Sequence, residues 1–233
     1  MNKQTPMNHR PTDELVALNA AHHIQPFANG AVTKTTGSRV ITRAEGVYLY
    51  DSESARILDG MAGLWCVNIG YGRDELADVA QRQMQQLPYY NTFFQTTHPP
   101  VVELATKIAE LTPGDLNHTF FGNSGSDAND TNIRLVRHYW ASKGKPEKQT
   151  IISRENAYHG STVAATALGG MAHMHVQGAE GVAGIAHIGQ PYWWVYGGDM
   201  SPEEFGLKSA QDLEAKILEL GEDNVAAFVA EPV

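Results

Sequence analysis

Apolar and polar positions along the chain recur with two different periods. From Asp74 to Gln86 and from Pro99 to Leu111 the apolar residues return every three or four positions. This predicts two amphipathic helices, the second opening on first-turn prolines. Upstream the pattern is that of strands. Residues 39–43, residues 47–50 and Arg56–Leu58 are rich in β-branched and aromatic side chains, with Glu45-Gly46 and Ser52-Glu53-Ser54 between them. They read as a small antiparallel meander. A first helix is expected to start near Thr12, where Asp13 and Glu14 favour its first turn, and to end before Pro26.

From Asn117 onward, strand and helix patterns alternate. Strands are expected at 118–121, 150–153, Ile185–Ile188 and 225–230. Helices are expected at 126–142, 162–168 and Pro202–Leu220, the first with Ala128, Leu135, Val136 and Tyr139 on one face. Such alternation needs crossover connections, hence a mostly parallel sheet covered by helices. The change of pattern near residues 87–100 divides the chain into two expected regions. Residues 1–90 hold the first helix, the meander and the following helix; residues 91–233 begin a larger α/β domain. The last strand delivers Glu231 to its carboxyl end, where ligands sit in open α/β sheets, so the domain reads as interrupted at residue 233.

Composition narrows the classes of function. The 233 residues carry a net charge of −9 and no basic cluster, which argues against nucleic acid or an anionic membrane as partner. No apolar run approaches a membrane span, and residues 1–11 lack the apolar stretch of a signal peptide. One cysteine, Cys66, excludes an internal disulfide and suits a reducing cytoplasm. Without an activating cation nearby in sequence, it reads as a buried structural thiol.

Three segments are candidates for chemistry. In Phe120-Phe121-Gly122-Asn123-Ser124-Gly125-Ser126-Asp127, a strand pattern runs through a glycine turn into a helix pattern. Free amides and the dipole at such a helix start suit a phosphate, with Ser124 and Ser126 as hydroxyl donors and Gly125 allowing close approach. The same residues also suit a plain serine cap. Tyr158-His159-Gly160 again lies between strand and helix. Tyr158 there can lie on a flat heterocycle with His159 beside it, or be a turn aromatic next to a surface histidine. Ala230-Glu231-Pro232 places a carboxyl at a strand end, either in a hydrogen-bonded polar site or in solvent. The aromatic segments around Trp65 and Phe93 read as pocket lining or as packing. His22-His23 and His173 with His175 lack a ligand set that would make a metal site, and none is expected.

Taken in order, Ser124-Gly125-Ser126, Tyr158-His159-Gly160 and Ala230-Glu231-Pro232 resemble the class III aminotransferases among the fold-type I pyridoxal-phosphate enzymes. The resemblance extends over nearly the whole chain. It takes in residues 22–27, Asp59-Gly60-Met61-Ala62-Gly63-Leu64-Trp65 and Leu87-Pro88-Tyr89-Tyr90-Asn91. Leu64-Trp65-Cys66, residues 90–94 and Gly198-Asp199-Met200-Ser201-Pro202 are most similar to the omega-amine:pyruvate branch. The implied fold is α/β, a fold-type I transferase with a mostly parallel central sheet and helices on both faces, truncated, behind a small N-terminal α+β region.

The resemblance also implies roles. Ser124, Gly125 and Ser126 hold the phosphate of pyridoxal 5'-phosphate, Tyr158 stacks on its ring with His159 alongside, and Glu231 supports the polar network at the ring's hydroxyl side. Phe27 and Trp65 are implied amine-pocket residues, and Phe93 is implied to reach across a dimer interface. Asp127 stands where many relatives have glutamate. The implied reaction moves an amino group from an omega-amine or amino acid to a keto acid such as pyruvate, in a cytoplasmic homodimer or higher homo-oligomer. The family's ring-nitrogen aspartate and Schiff-base lysine fall after Val233, so no catalytic residue is expected here and the chain alone is expected to be inactive. It is also expected to be poorly soluble by itself, with an open sheet edge. A non-catalytic cofactor-binding or phosphate-binding remnant, or another class III reaction such as an aminomutase or decarboxylase, remains the alternative.

Overall fold

The computed structural model describes residues 9–178 and 182–231; Met1 to Asn8, Pro232 of the third motif and Val233 lie outside the described residues. The chain forms two compact units, Met1–Val102 and Glu103–Val233.

In the first unit, α1 (Thr12–His22) starts after Pro11 with Asp13 and Glu14 in its first turn, as anticipated. A short α2 (Gly30–Thr36) follows. Its Gly- and Thr-rich sequence has little helical propensity, but Asn29 caps it by accepting from the Ala31 and Val32 amides at 3.0 and 3.5 Å. The meander forms as read: β1 (Ile41–Glu45), β2 (Tyr48–Asp51) and β3 (Arg56–Leu58) pair antiparallel in that order. Glu45 pairs with Tyr48, so the hairpin loop has two residues, and Gly46 supplies the required positive φ of 59°. Next come α3 (Ala62–Trp65) and α4 (Asp74–Gln86). α5 (Pro99–Leu111) contains the division between the units.

The second unit contains α6 (Gly125–Ser142), β4 (Thr150–Arg154), α7 (Val163–Leu168), α8 (Ala172–His175), β5 (Ile185–Ile188), α9 (Trp193–Tyr196), α10 (Pro202–Leu220) and β6 (Val225–Phe228). The sheet order is β5-β4-β6, parallel throughout. β4 is central and therefore the most buried strand; Ile151, Ile152 and Ser153 are at most 1% exposed. Ile151, Ile133 of α6 and Leu168 of α7 form the core, joined by Ala164, Ile185, Ala227 and Val229. α10 opens with a full capping box, Ser201 and Glu204 each bonding the other's backbone amide.

Three expectations need correction. Residues 118–121 are not a strand: no other segment of the described residues pairs with them, and Phe120 is 68% exposed. Apolar composition alone does not make a strand, which exists only through its partner. The inward face of α6 is only partly the one expected: Ala128 and Val136 are half-buried, but Leu135 and Tyr139 are exposed. The inward positions include Ser126, Asn129, Asp130, Ile133, Arg137 and Trp140, five of them polar or polar-tipped. They serve loop and strand backbones, as when Trp140 Nε1 donates to Ala226 O at 2.8 Å and Arg137 to Ala183 O at 2.8 Å. Cys66 is exposed rather than buried: it ends a left-handed turn, with its Sγ donating to Leu64 O at 3.2 Å instead of packing in a core.

Candidate functional site

The start of α6 and the loops leaving β4 and β6 come together at the carboxyl ends of the strands. Ser124 is the N-cap of α6, extended at φ −160° and ψ 164°. Its Oγ accepts from the Asp127 amide at 3.1 Å, and Asp127 Oδ2 accepts from the Asn123 amide at 2.9 Å. The amides of Gly125 and Ser126 donate to no other group among the described residues. Capping and anion binding therefore use different amides, and the two readings of this segment are compatible. A Cβ built on Gly125 meets nothing within 4 Å, so open space lies beside these amides.

The β4 loop closes onto the same turn. Ser126 Oγ accepts from the Ser161 amide at 2.9 Å. Gly160, at φ 140°, fits only because it lacks a side chain: a Cβ would lie 2.7 Å from both Ser126 Oγ and Ala165 Cβ. Asn129 Nδ2 donates to His159 O at 2.7 Å. Asp130 Oδ1 accepts from Thr162 Oγ1 at 2.7 Å and from the Ala165 amide at 3.0 Å, fixing the start of α7. Asn129 and Asp130 were not among the sequence candidates. Their signal was the i, i+3, i+4 spacing with Ser126, a polar stripe on a helix otherwise read by its apolar residues.

His159 and Glu231 meet beneath this loop. His159 Nε2 and Glu231 Oε1 are 3.0 Å apart, with the histidine side chain 8% exposed and the carboxyl side chain 31%. The approach lacks hydrogen-bond alignment, and both atoms are buried without another partner among the described residues. Burial pushes the His159 pKa below its ordinary value; Glu231 pulls it up less strongly, and His187 adds to the lowering. His159 is thus a neutral imidazole at neutral pH, and the contact is not an ion pair. Arg154 supports the strand end by donating to Glu231 O at 3.2 Å. Tyr158 stands between these groups in sequence and is 48% exposed.

The three pocket candidates belong to the first unit, and all are exposed: Phe27 74%, Trp65 78% and Phe93 67%. Their backbones are unusual. Phe27 has a positive φ of 52°, and Phe93 precedes Phe94 and Gln95 at 54° and 67°. Ala62, Gly63, Leu64 and Trp65 are all left-handed, at 47°, 61°, 65° and 65°. Each L-residue in that region carries a steric cost, and such strain gathers at functional sites. Asp59 holds the turn: its carboxyl accepts from the amides of Met61 and Gly63 at 3.2 and 2.8 Å and from the Tyr71 hydroxyl at 2.7 Å. The Tyr71 bond, chiefly, holds the Asp59 pKa below the usual carboxyl value and raises that of Tyr71.

A turn with two open helix-start amides, a shape-restricted glycine and a buried polar pair at parallel strand ends defines a class: α/β proteins that hold an anionic cofactor at the sheet's carboxyl edge. The residues present fit pyridoxal 5'-phosphate, since the amides suit its phosphate and the unpartnered His159 and Glu231 atoms suit a polar ring substituent. The model of the family Aminotransferase class-III matches residues 30–233, and the chain belongs to that family. Its fold is that of the fold-type I pyridoxal-phosphate transferases.

The chain is 58% identical over all 233 residues to the putrescine–pyruvate aminotransferase of Pseudomonas aeruginosa, covering 51% of that protein. It is 38% identical over 224 residues to the diaminobutyrate–2-oxoglutarate transaminase of Halomonas elongata, covering 95% of this chain and 47% of that one. Among solved structures, an (S)-enantioselective omega-transaminase from Thermomicrobium roseum superposes with a TM-score of 0.92 at 41% identity, over 97% of this chain and 50% of that one. The omega-transaminase of Pseudomonas jessenii, solved in complex with PMP, gives 0.91 at 35% identity, over 94% and 49%. The chain thus spans about half the length of the relatives it matches. The family depends on pyridoxal 5'-phosphate. Among the described residues, no helix is long and apolar enough to cross a membrane, and no group of three or more His, Cys, Asp or Glu residues suits a metal ion.

Proposed function

We propose that the protein carrying this chain transfers an amino group from an omega-amine, with putrescine as the first donor to try, to a keto acid such as pyruvate. One observation carries the reading: two unpartnered amides at the start of α6 share a site with the unpartnered polar atoms of His159 and Glu231. The likeness to the Pseudomonas aeruginosa enzyme supplies the choice of donor and acceptor.

In this reading the chain's own residues position and do not transfer protons. Gly125 and Ser126 donate backbone hydrogen bonds to the phosphate, with the Ser126 hydroxyl alongside and Ser124 holding the helix start in shape. Tyr158 lies on the ring face, and neutral His159 with Glu231 binds at the ring's hydroxyl edge. Phe27 and Trp65 are assigned to the amine pocket, and Phe93 to the same role across the dimer interface. When bound, the cofactor's ring takes up the electron pair left on the amine carbon. No residue of these 233 is assigned to proton transfer, and the chain alone is expected to be inactive. We place the complete protein in the cytoplasm as a homodimer or higher homo-oligomer.

The test is alanine formation from putrescine and pyruvate by the complete protein, followed with and without added pyridoxal 5'-phosphate. Cofactor-dependent alanine is expected. A protein that binds the cofactor but forms no alanine from any terminal diamine or omega-amino acid would overturn the assignment.

A further inference from the structure

α7 is a short strut, and its two ends do different things. Its start is tied to the anion turn through Asp130 and Ser126. Its last carbonyls have no intrahelical partner, as at any helix end, and Ala165 to Leu168 are all buried. Side chains from three other elements serve the last carbonyl of α7 and that of its C-cap, Gly169. Ser153 of β4 donates its hydroxyl to Leu168 O. His187 of β5 and His175 of α8 both reach Gly169 O, through Nε2 at 2.8 and 2.6 Å. Ser153 and His187 are register partners on adjacent strands, so β4 and β5 supply one donor each at the same level of the sheet.

A carbonyl only accepts, so both imidazoles carry their proton on Nε2. Their rings are 5.4 Å apart. Two donors on one buried-side carbonyl exceed what capping requires. The surroundings of Gly169 indicate what they restrain. A Cβ on Gly169 would lie 3.0 Å from Ala157 O and 3.5 Å from the His159 amide nitrogen. The next amide, Gly170 N, donates to Ala157 O at 2.9 Å, and Gly170 O accepts from Asn156 N at 2.9 Å. The segment that carries Tyr158 and His159 is therefore bracketed by residues 169 and 170, whose position the two histidines fix. His187 also acts on His159 electrostatically, favouring its neutral form.

We propose that His175 and His187 are positioning residues: together they clamp Gly169 O and so hold Tyr158 and His159 at the height the cofactor ring requires. The inference rests on the cofactor reading above. The clamp acts on these residues through the backbone at Gly169 and Gly170, so its loss loosens the cofactor while Tyr158 and His159 themselves are retained.

The experiment uses the complete protein and pyridoxal 5'-phosphate as the probe. Dissociation constants are measured for wild type, His187→Ala, His175→Ala and the double variant, and for His187→Gln, whose amide donates at a reach similar to Nε2. Each alanine variant is expected to weaken cofactor binding about threefold to tenfold, the scale of one net hydrogen bond, and the double variant more than either. His187→Gln is expected to restore affinity, with the cofactor-free melting temperature little changed across the single variants. In the cofactor-free wild type, nitrogen NMR of the imidazoles is expected to show both rings protonated at Nε2. Unchanged affinity in all variants, a loss that follows melting temperature alone, or Nδ1 protonation of either ring would overturn the inference. A wild type that takes up no cofactor would overturn the underlying reading and this inference with it. Wild-type uptake with unaffected variants would overturn this inference alone.

Discussion

Gly125 and Gly160 look alike in the sequence, each beside a serine at a strand-to-helix turn, yet a methyl group meets different surroundings at each. At Gly160 it collides with Ser126 Oγ and Ala165 Cβ, on a backbone at φ 140°. Gly160→Ala is therefore expected to lower stability by about 1–3 kcal/mol, the usual cost of forced overpacking, as read from urea unfolding. An unfolding midpoint equal to wild type would show that the turn closes differently. His159 makes a pH prediction. Its native pKa lies below the ordinary 6.5, so under mildly acidic conditions the unfolded chain takes up a proton that the native chain resists. Its contribution to stability is thus highest at neutral pH and declines as pH falls from about 6.5 toward the lowered native value. Unfolding free energies at pH 7.5 and 5.5 should differ less in His159→Gln than in wild type; an equal difference would place the titration elsewhere.

At the scale of elements, what could be read in advance was what local chemistry dictates. The amphipathic helices Asp74–Gln86, Pro99–Leu111 and Pro202–Leu220, the last two opened by proline and the last also by a capping box, matched at both ends, and so did Arg56–Leu58 and Ile185–Ile188. What could not be read depended on distant partners. Residues 118–121 have strand composition and find nothing to pair with among the described residues. The inward face of α6 mixes apolar Ala128, Ile133 and Val136 with polar residues that hold the loops, and an apolar period cannot report the polar ones. The left-handed turn at Ala62–Trp65 was also hidden. Gly63 hinted at it, but Leu64 and Trp65 adopt positive φ only because Asp59 and Tyr71 hold the turn. Gly63→Ala tests this element. Its φ of 61° and a Cβ placed 2.7 Å from Val67 Cγ2 predict destabilisation by more than about 1 kcal/mol, measured by urea unfolding, whereas a tolerated alanine would mean that the turn is relaxed.

For the whole molecule, order carried more than any single motif. Each of the three segments allowed an ordinary structural explanation, and Ser124 is indeed a cap. Their sequence along the chain pointed to one family, and the fold and the family match agree with it. Within the second unit, Ser126, Gly160, His159 and Glu231 are drawn together from segments up to 105 positions apart by the parallel sheet and by Asn129 and Asp130. The clamp by His175 and His187 was invisible beforehand, because histidines that serve a carbonyl in another element leave no spacing to find. The central claim is that the two open amides beside Gly125 hold a phosphate, and Gly125→Ala tests it most directly. The methyl group meets no protein atom, so the fold should melt as wild type does, while the space for the phosphate is filled. Binding of pyridoxal 5'-phosphate and of phosphate-free pyridoxal to wild type and Gly125→Ala is the measurement. The account predicts that wild type prefers the phosphorylated form and that Gly125→Ala loses that preference at unchanged melting temperature. Equal preference in both proteins would contradict it.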